Sequence, residues 1–216
     1  MRYDKGIGIS NGILSTLKEV SFGIYHFQMG LMFRTSLLLN GILFNTEAMF
    51  SVTDKHISTL EETDRYLLRQ ILGTGTETPI ESLYIETASL PVKYIWKGRR
   101  IMYYWTMLHK GEDEIAKQVF SAMKEFPSKK SDWMTQLNED LRYFDIEETE
   151  EEITKMKRDK FKEIVDKKIR IKASENLTKL QIKHSKSMYL YQNDVMAEYL
   201  TKHILLVRQK QMLFRL

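Results

Sequence analysis

Between Lys93 and Trp105 the chain interleaves the cations Lys93, Lys97, Arg99 and Arg100 with the rings Tyr94, Trp96, Tyr103, Tyr104 and Trp105. Cations among aromatic rings are the mixture that contacts phosphates while stacking on bases. On one helix Lys93, Lys97 and Arg100 share a face, because residues three and four apart are neighbours there. The same pattern also reads as a buried aromatic face with a solvated stripe of charge beside it. A second basic run, Lys155, Lys157, Arg158, Lys160, Lys162, Lys167, Lys168, Arg170 and Lys172, divides in the same way. It is either a solvated helix face or a helix laid along a phosphate backbone, whose affinity would fall steeply with salt. The candidate nucleic-acid contacts are therefore Lys93, Lys97, Arg99, Arg100, Lys155, Lys157, Arg158, Lys160, Lys162, Lys168 and Lys172.

Other chemistry finds no constellation. The five histidines, at positions 26, 56, 109, 184 and 203, never fall four apart or beside a carboxylate at metal-ligand spacing, so no metal is expected. Gly73-Thr74-Gly75-Thr76 lacks the Gly-Lys-Ser/Thr ending of a phosphate loop and reads as a helix C-cap followed by a turn. No serine sits in a nucleophile elbow, and the acidic residues 147 to 152 are contiguous rather than a spaced catalytic pair. Negative charge at that place suits the start of a helix. No catalytic residue and no cofactor is expected in this chain.

The elements that must carry these residues are helices. Only 3 prolines and 10 glycines punctuate 216 residues, too few for a sheet protein that turns every ten residues or so. With 43% hydrophobic and 29% charged residues the composition is globular, and without cysteine the fold rests on packing alone. The expected architecture is all-α, an irregular array of about eight to ten helices without a sizeable sheet. A short helix over 11–20 comes after a flexible Gly6-Ile7-Gly8 approach. A longer one spans about Tyr25 to Phe50, with Leu31, Leu38, Ile42 and Phe44 as buried candidates. Thr53 or Asp54 caps an amphipathic helix carrying Ile57, Leu60, Leu67, Leu68 and Ile71, ended by Gly73. Thr78, Pro79 and Glu81 make a capping box for the next helix, and Pro91 opens another from Val92 to His109. Further helices cover 113–126, a segment capped by Ser131 with Trp133, Leu137 and Leu141 on one face, and a long basic stretch reaching about His184 behind the Thr149/Glu152 capping box. Asp194 to Leu216 reads as one or two more helices with no stop signal, as if the chain were cut there.

Charge is segregated. Glu139 to Glu152 carries eight acids against one base, and Lys155 to Lys186 carries twelve bases against four acids. A boundary is expected near Pro127 to Ser131, dividing an aromatic-rich part, 1–127, from a charge-segregated part, 128–216; a softer one lies near Asp145. The start lacks the apolar core of a secretory signal and no run approaches the ~20 apolar residues of a membrane span, so the expected location is intracellular, nucleus or cytoplasm.

The order Leu31-Met32-Phe33-Arg34-Thr35-Ser36-Leu37-Leu38-Leu39-Asn40-Gly41-Ile42-Leu43-Phe44-Asn45-Thr46-Glu47-Ala48, followed by Leu60-Glu61, Asp64 and Leu67-Leu68-Arg69-Gln70-Ile71-Leu72-Gly73, resembles the segment after the polymerase core in non-LTR (LINE-like) retrotransposon reverse transcriptases. Thr78-Pro79-Ile80-Glu81-Ser82-Leu83-Tyr84-Ile85-Glu86 and Leu90-Pro91-Val92-Lys93-Tyr94-Ile95, with Arg99-Arg100 and Tyr103-Tyr104, is similar to a recurrent stretch of the same polyproteins. The resemblance implies a thumb and linker region that helps to grip template RNA and the primer duplex, attached to an upstream polymerase core. In that family the polymerase holds two metal ions on palm aspartates, including an aromatic-x-Asp-Asp pair, and this sequence has no Asp-Asp pair. The palm would lie upstream of Met1, and a cysteine-rich zinc-binding segment past Leu216. The expectation is a non-catalytic fragment whose partners are RNA, an RNA–DNA duplex and the polymerase core. The alternatives are a helical protein-interaction scaffold and a remnant of a decayed element.

Overall fold

The structure, a computed structural model, describes residues 2–19, 24–49, 53–126 and 132–183. Among them it is all-α, with nine helices and no strand. The helices are α1 (Arg2–Lys18), α2 (Ile24–Phe33, continued by a π-helical stretch Arg34–Leu39 and a last turn Asn40–Ile42), α3 (Asp54–Leu72), α4 (Ile80–Glu86), α5 (Val92–Leu108), α6 (Ile115–Glu125), α7 (Trp133–Tyr143), α8 (Glu150–Lys155) and α9 (Arg158–Lys183). None of the described helices is long and apolar enough to cross a membrane.

Two compact units divide the chain, and the division differs from the boundary expected at 127/128. The first holds residues up to Phe44, Asp54–Val92 and the described residues from Ser174 on; the second holds Asn45–Thr53 and Lys93–Ala173. The physical reason is that α5 is bonded within the second unit to the described residues of the 45–49 connection and to the segment after α8. Its indole Trp96 Nε1 donates to the Thr46 carbonyl at 3.1 Å, and Trp105 Nε1 donates to the Met156 carbonyl at 3.2 Å.

In the first unit α1, α2 and α4 pack against α3. Ile13, Leu17, Phe27, Leu38, Ile42, Leu67, Leu68, Ile71 and Leu83 are buried at its centre. Within it lies an ion pair: Arg34 donates through Nε and Nη2 to the two Asp64 oxygens at 2.6 and 2.8 Å, and through Nη2 to the Leu90 carbonyl at 2.9 Å. The Tyr84 hydroxyl donates to Asp64 at 3.2 Å, so the buried charges have partners on three elements. Arg34 begins the π-helical stretch, where Thr35, Ser36 and Asn40 side chains donate to the carbonyls four residues back. Such side-chain bonds compete with the backbone ladder and accompany its widening.

Several local expectations are corrected. The helix expected over 11–20 runs from Arg2 to Lys18 and includes the Gly6-Ile7-Gly8 segment. A Cβ at Gly6 would lie 2.7 Å from Thr63 Cγ2, so this glycine serves close helix packing rather than flexibility. The helix expected to reach Phe50 leaves helical geometry after Ile42, with Asn45 left-handed at φ 55°, and Phe44 is 73% exposed instead of buried. Thr78 does not cap α4: its N-cap is Pro79, without a side-chain bond. Asp132, not Ser131, caps α7, its side chain accepting from the Thr135 amide at 2.8 Å; Ser131 lies outside the described residues. The long basic helix is broken at Met156, which is extended at ψ 138°, so α8 and α9 are separate. Asp194 to Leu216 lies outside the described residues.

Three helix ends share one device. Gly73, Ala88 and Asp145 take φ of 66°, 48° and 53° after α3, α4 and α7. In each case the next amide reaches back to the carbonyl five residues earlier, as Ile146 does to Leu141 at 2.9 Å. At α7 this turn decides where Asp145 sits.

Candidate functional site

The second unit assembles its charged surface from α5, α7 and α9. Phe161, Val165, Ile169 and Ala173 recur every four residues on α9 and are buried. Helical spacing then puts Lys160, Ile164, Lys168 and Lys172 in the row along one flank, and Arg158, Lys162, Asp166 and Arg170 along the other. Lys168 and Lys172 of the first row reach the end of α7, and Ile169 packs closely on α5 at Gly98, where a Cβ would lie 2.6 Å from Ile169 Cδ1. Gly98 stands between two of the predicted contacts, Lys97 and Arg99.

The meeting point is the end of α7. Asp140 is buried and accepts from Arg100 Nη1 at 2.9 Å and from Lys97 Nζ. Three residues on, Tyr143 is 37% exposed, with Lys97 Nζ 5.1 Å and Lys172 Nζ 5.5 Å from its ring centroid. Asp145, held by its left-handed turn, offers its carbonyl to Lys168 Nζ at 2.9 Å and its carboxylate to Lys172 Nζ at 3.6 Å. These lysines face a helix C-terminus, whose carbonyls favour cations. Lys93 adds a further ammonium, 5.1 Å from the Tyr94 centroid.

Of the predicted contacts, Lys97, Lys168 and Lys172 gather around Tyr143 and Asp145, with Lys93 over the neighbouring ring. Arg100 turns inward. It is 5% exposed, burial lowers its pKa against the opposing pull of Asp140, and its guanidinium lies over the Trp96 ring at 5.4 Å. Arg99 is half-buried. Lys155, Lys157, Arg158, Lys160 and Lys162 are exposed along α8 and the start of α9, with Arg158 and Lys162 on the flank away from Lys168.

Three of the five rings of α5 are core, while Tyr103 and Trp105 are half-buried. Tyr94 and Trp96 are each 1% exposed and Tyr104 is 7% exposed, so this helix presents no stacking face at those positions. The exposed ring among the lysines comes instead from Tyr143, which spacing along α5 could not indicate. Its only signal in the sequence is membership of the acidic stretch around Asp140 and Asp145, which looks repulsive to phosphate until the pairings are known.

The acidic cluster is used locally. Thr149 and Glu152 form the complete capping box of α8, and hydrogen bonds from the Thr149 amide and hydroxyl hold the Glu152 carboxyl below its usual range. Glu150 accepts from the Tyr104 hydroxyl at 3.2 Å and from Lys124. Burial and this carboxylate push the Tyr104 pKa up. Among the described residues no three His, Cys, Asp or Glu side chains come together as metal ligands.

A cavity of about 220 Å³ in the same unit is lined by apolar side chains, among them Tyr103, Met107, Val119, Phe120, Met123 and Trp133. Comparison of the chain with protein-family models, curated protein sequences and solved structures returned no match.

Proposed function

We propose that this chain is a non-catalytic part of a retrotransposon reverse transcriptase, the thumb and linker region after the polymerase core, which holds template RNA and primer duplex for chemistry performed by that core in the nucleus or cytoplasm. The observation that carries this reading is the convergence of the half-buried Lys97, Lys168 and Lys172, distant in sequence, on the end of α7 where Tyr143 and Asp145 are exposed. Four bases stand there against Asp140, Asp145 and Glu139: Asp140 is shared by Lys97 and Arg100, Glu139 also acts on Arg100, the Asp145 carboxylate faces Lys172, and Lys168 is bonded to the Asp145 carbonyl. The remaining positive charge is of the kind that displaces counterions from a phosphate backbone. Exposed Lys155, Lys157 and Lys160 supply further cations from the last residue of α8 into the start of α9.

The test is fluorescence anisotropy of a labelled RNA–DNA hybrid at rising salt. Neutralising three or four phosphates gives a slope of log affinity against log salt of about −3 to −4. Affinity no better than that of an acidic control protein at low salt refutes the reading.

A helical interaction scaffold is the second reading, favoured by α6. Ile115 and Val119 are 79% and 45% exposed on this helix beside the apolar cavity, and Phe126, just after it, is 73% exposed. An uncovered apolar face drives association of a second copy. Light scattering that shows a dimer in the native chain and a monomer in Val119→Lys supports it; a monomer in both removes it.

A further inference from the structure

We infer that Tyr143, framed by Lys97 and Lys172, is the seat of one unpaired nucleotide, its base on the ring and its phosphate on the Lys172 ammonium. The inference rests on the nucleic-acid reading above and adds which form of the polymer the site takes: a single strand. The ring is held from behind. Phe144 meets it edge-on at 5.0 Å and 79°, and the Tyr94 hydroxyl lies 3.5 Å from the Tyr143 hydroxyl. The residue stays 37% exposed, and ammonium groups from α5 and α9 lie 5.1 and 5.5 Å from its ring centroid.

The two lysines differ in how firmly they are engaged. Lys97, itself 27% exposed, is bonded to Asp140, which is 2% exposed. Lys172 faces Asp145 at 3.6 Å, with the carboxylate 65% exposed. A pair at that distance and exposure contributes little, so a phosphate can replace Asp145 as the Lys172 partner. Lys172 then leaves the ring face and a base takes its place, while Lys97 stays beside it. A duplex cannot use this arrangement, since its bases are already stacked on one another and only its phosphates are presented. Stacking on an aromatic side chain is the device of single-strand binders and tolerates any base.

The experiment uses the full chain with labelled oligouridylate, oligothymidylate and a blunt RNA–DNA hybrid at equal salt. Tyr143→Leu keeps an apolar side chain against Phe144 and removes the π face. It should weaken binding of both single strands about tenfold, leave the hybrid within about twofold, and be restored by Tyr143→Phe. Lys172→Gln should lower the salt slope by about one for the single strands. As a measurement on the unaltered protein, a 5-iodouridine oligonucleotide irradiated in the complex should crosslink to the peptide containing Tyr143. Unchanged single-strand affinity in a folded Tyr143→Leu, an equal loss on hybrid and single strand, or crosslinks confined to other peptides overturns the inference, while salt-dependent hybrid binding leaves the wider reading standing. If the native chain binds none of the three ligands, both fall.

Discussion

Replacing Asp140 with asparagine separates what the candidate site needs for folding from what it needs for binding, because the two respond with opposite sign. The carboxylate is 2% exposed and serves two cations, Arg100 at 2.9 Å and Lys97. Arg100 is 5% exposed and cannot turn to water without moving the core around Trp96. Removing one partner of a buried pair costs about 3–5 kcal/mol, and asparagine, which keeps one oxygen, falls near 3. For a chain of this size that lowers the melting midpoint by roughly 6–12 °C. The same change adds one positive charge to the surface around Tyr143. For a phosphate about 8 Å away and an effective dielectric constant of about 40, the attraction gained is about 1 kcal/mol before screening. One Debye length at physiological salt reduces it to about 0.4 kcal/mol, roughly a twofold gain in affinity; at about 0.02 M salt the gain is about threefold. Thermal melting by circular dichroism and anisotropy with oligouridylate, well below the lowered midpoint, measure both effects. A folded variant that binds no better at low salt places the anion elsewhere. An unchanged melting midpoint refutes the ion triad.

In the first unit, Asp64→Asn leaves the buried Arg34 guanidinium without its counter-charge and should cost about 3–5 kcal/mol in urea denaturation; a loss below about 1 kcal/mol would mean that the pair is replaceable there. Burial, with Asp64 beside it, raises the Tyr84 pKa well above the ordinary tyrosine value. A raised pKa means that the native state keeps a proton which the unfolded state gives up, so this contribution to stability is whole below pH ~10 and declines as pH rises further. Stability of the native chain should therefore fall more steeply from about pH 10 to about pH 11 than that of Tyr84→Phe, and equal slopes in denaturant titrations refute it. Asp132→Ala removes the α7 cap and should cost about 1 kcal/mol, whereas Ser131→Ala should cost a few tenths or less.

The helical fold was legible because its signals are local. Proline at 91, the capping box at 149 and 152, and Gly73 with its positive φ each act within a few residues, and each stands where the sequence places it. The errors come from contacts that no local pattern contains. Gly6 reads as a flexible approach until Thr63 is found against it, and Thr78 reads as a cap until the helix is seen to start at Ile80. Phe44 fits the apolar repeat of α2, but the chain turns away at Asn45 before that repeat can bury it.

The site was legible as a set of cations and not as an arrangement. A count of cations treats Arg100 and Lys172 alike, yet one is sealed against Asp140 and the other stands beside an exposed ring. The distinction depends on two features without any charge: the left-handed turn that brings Asp145 under α9, and the missing Cβ at Gly98 that lets Ile169 pack against α5. The acidic stretch ties the two basic regions together, since Asp140 holds the α5 cations and Asp145 those of α9 through its carboxylate and its carbonyl. Charge segregation along a sequence therefore need not persist in space. Asp140 is matched by two bases and the Asp145 carboxylate by one, with Lys168 on the Asp145 carbonyl, and whether a phosphate can use these cations depends on how loosely the last lysine is held.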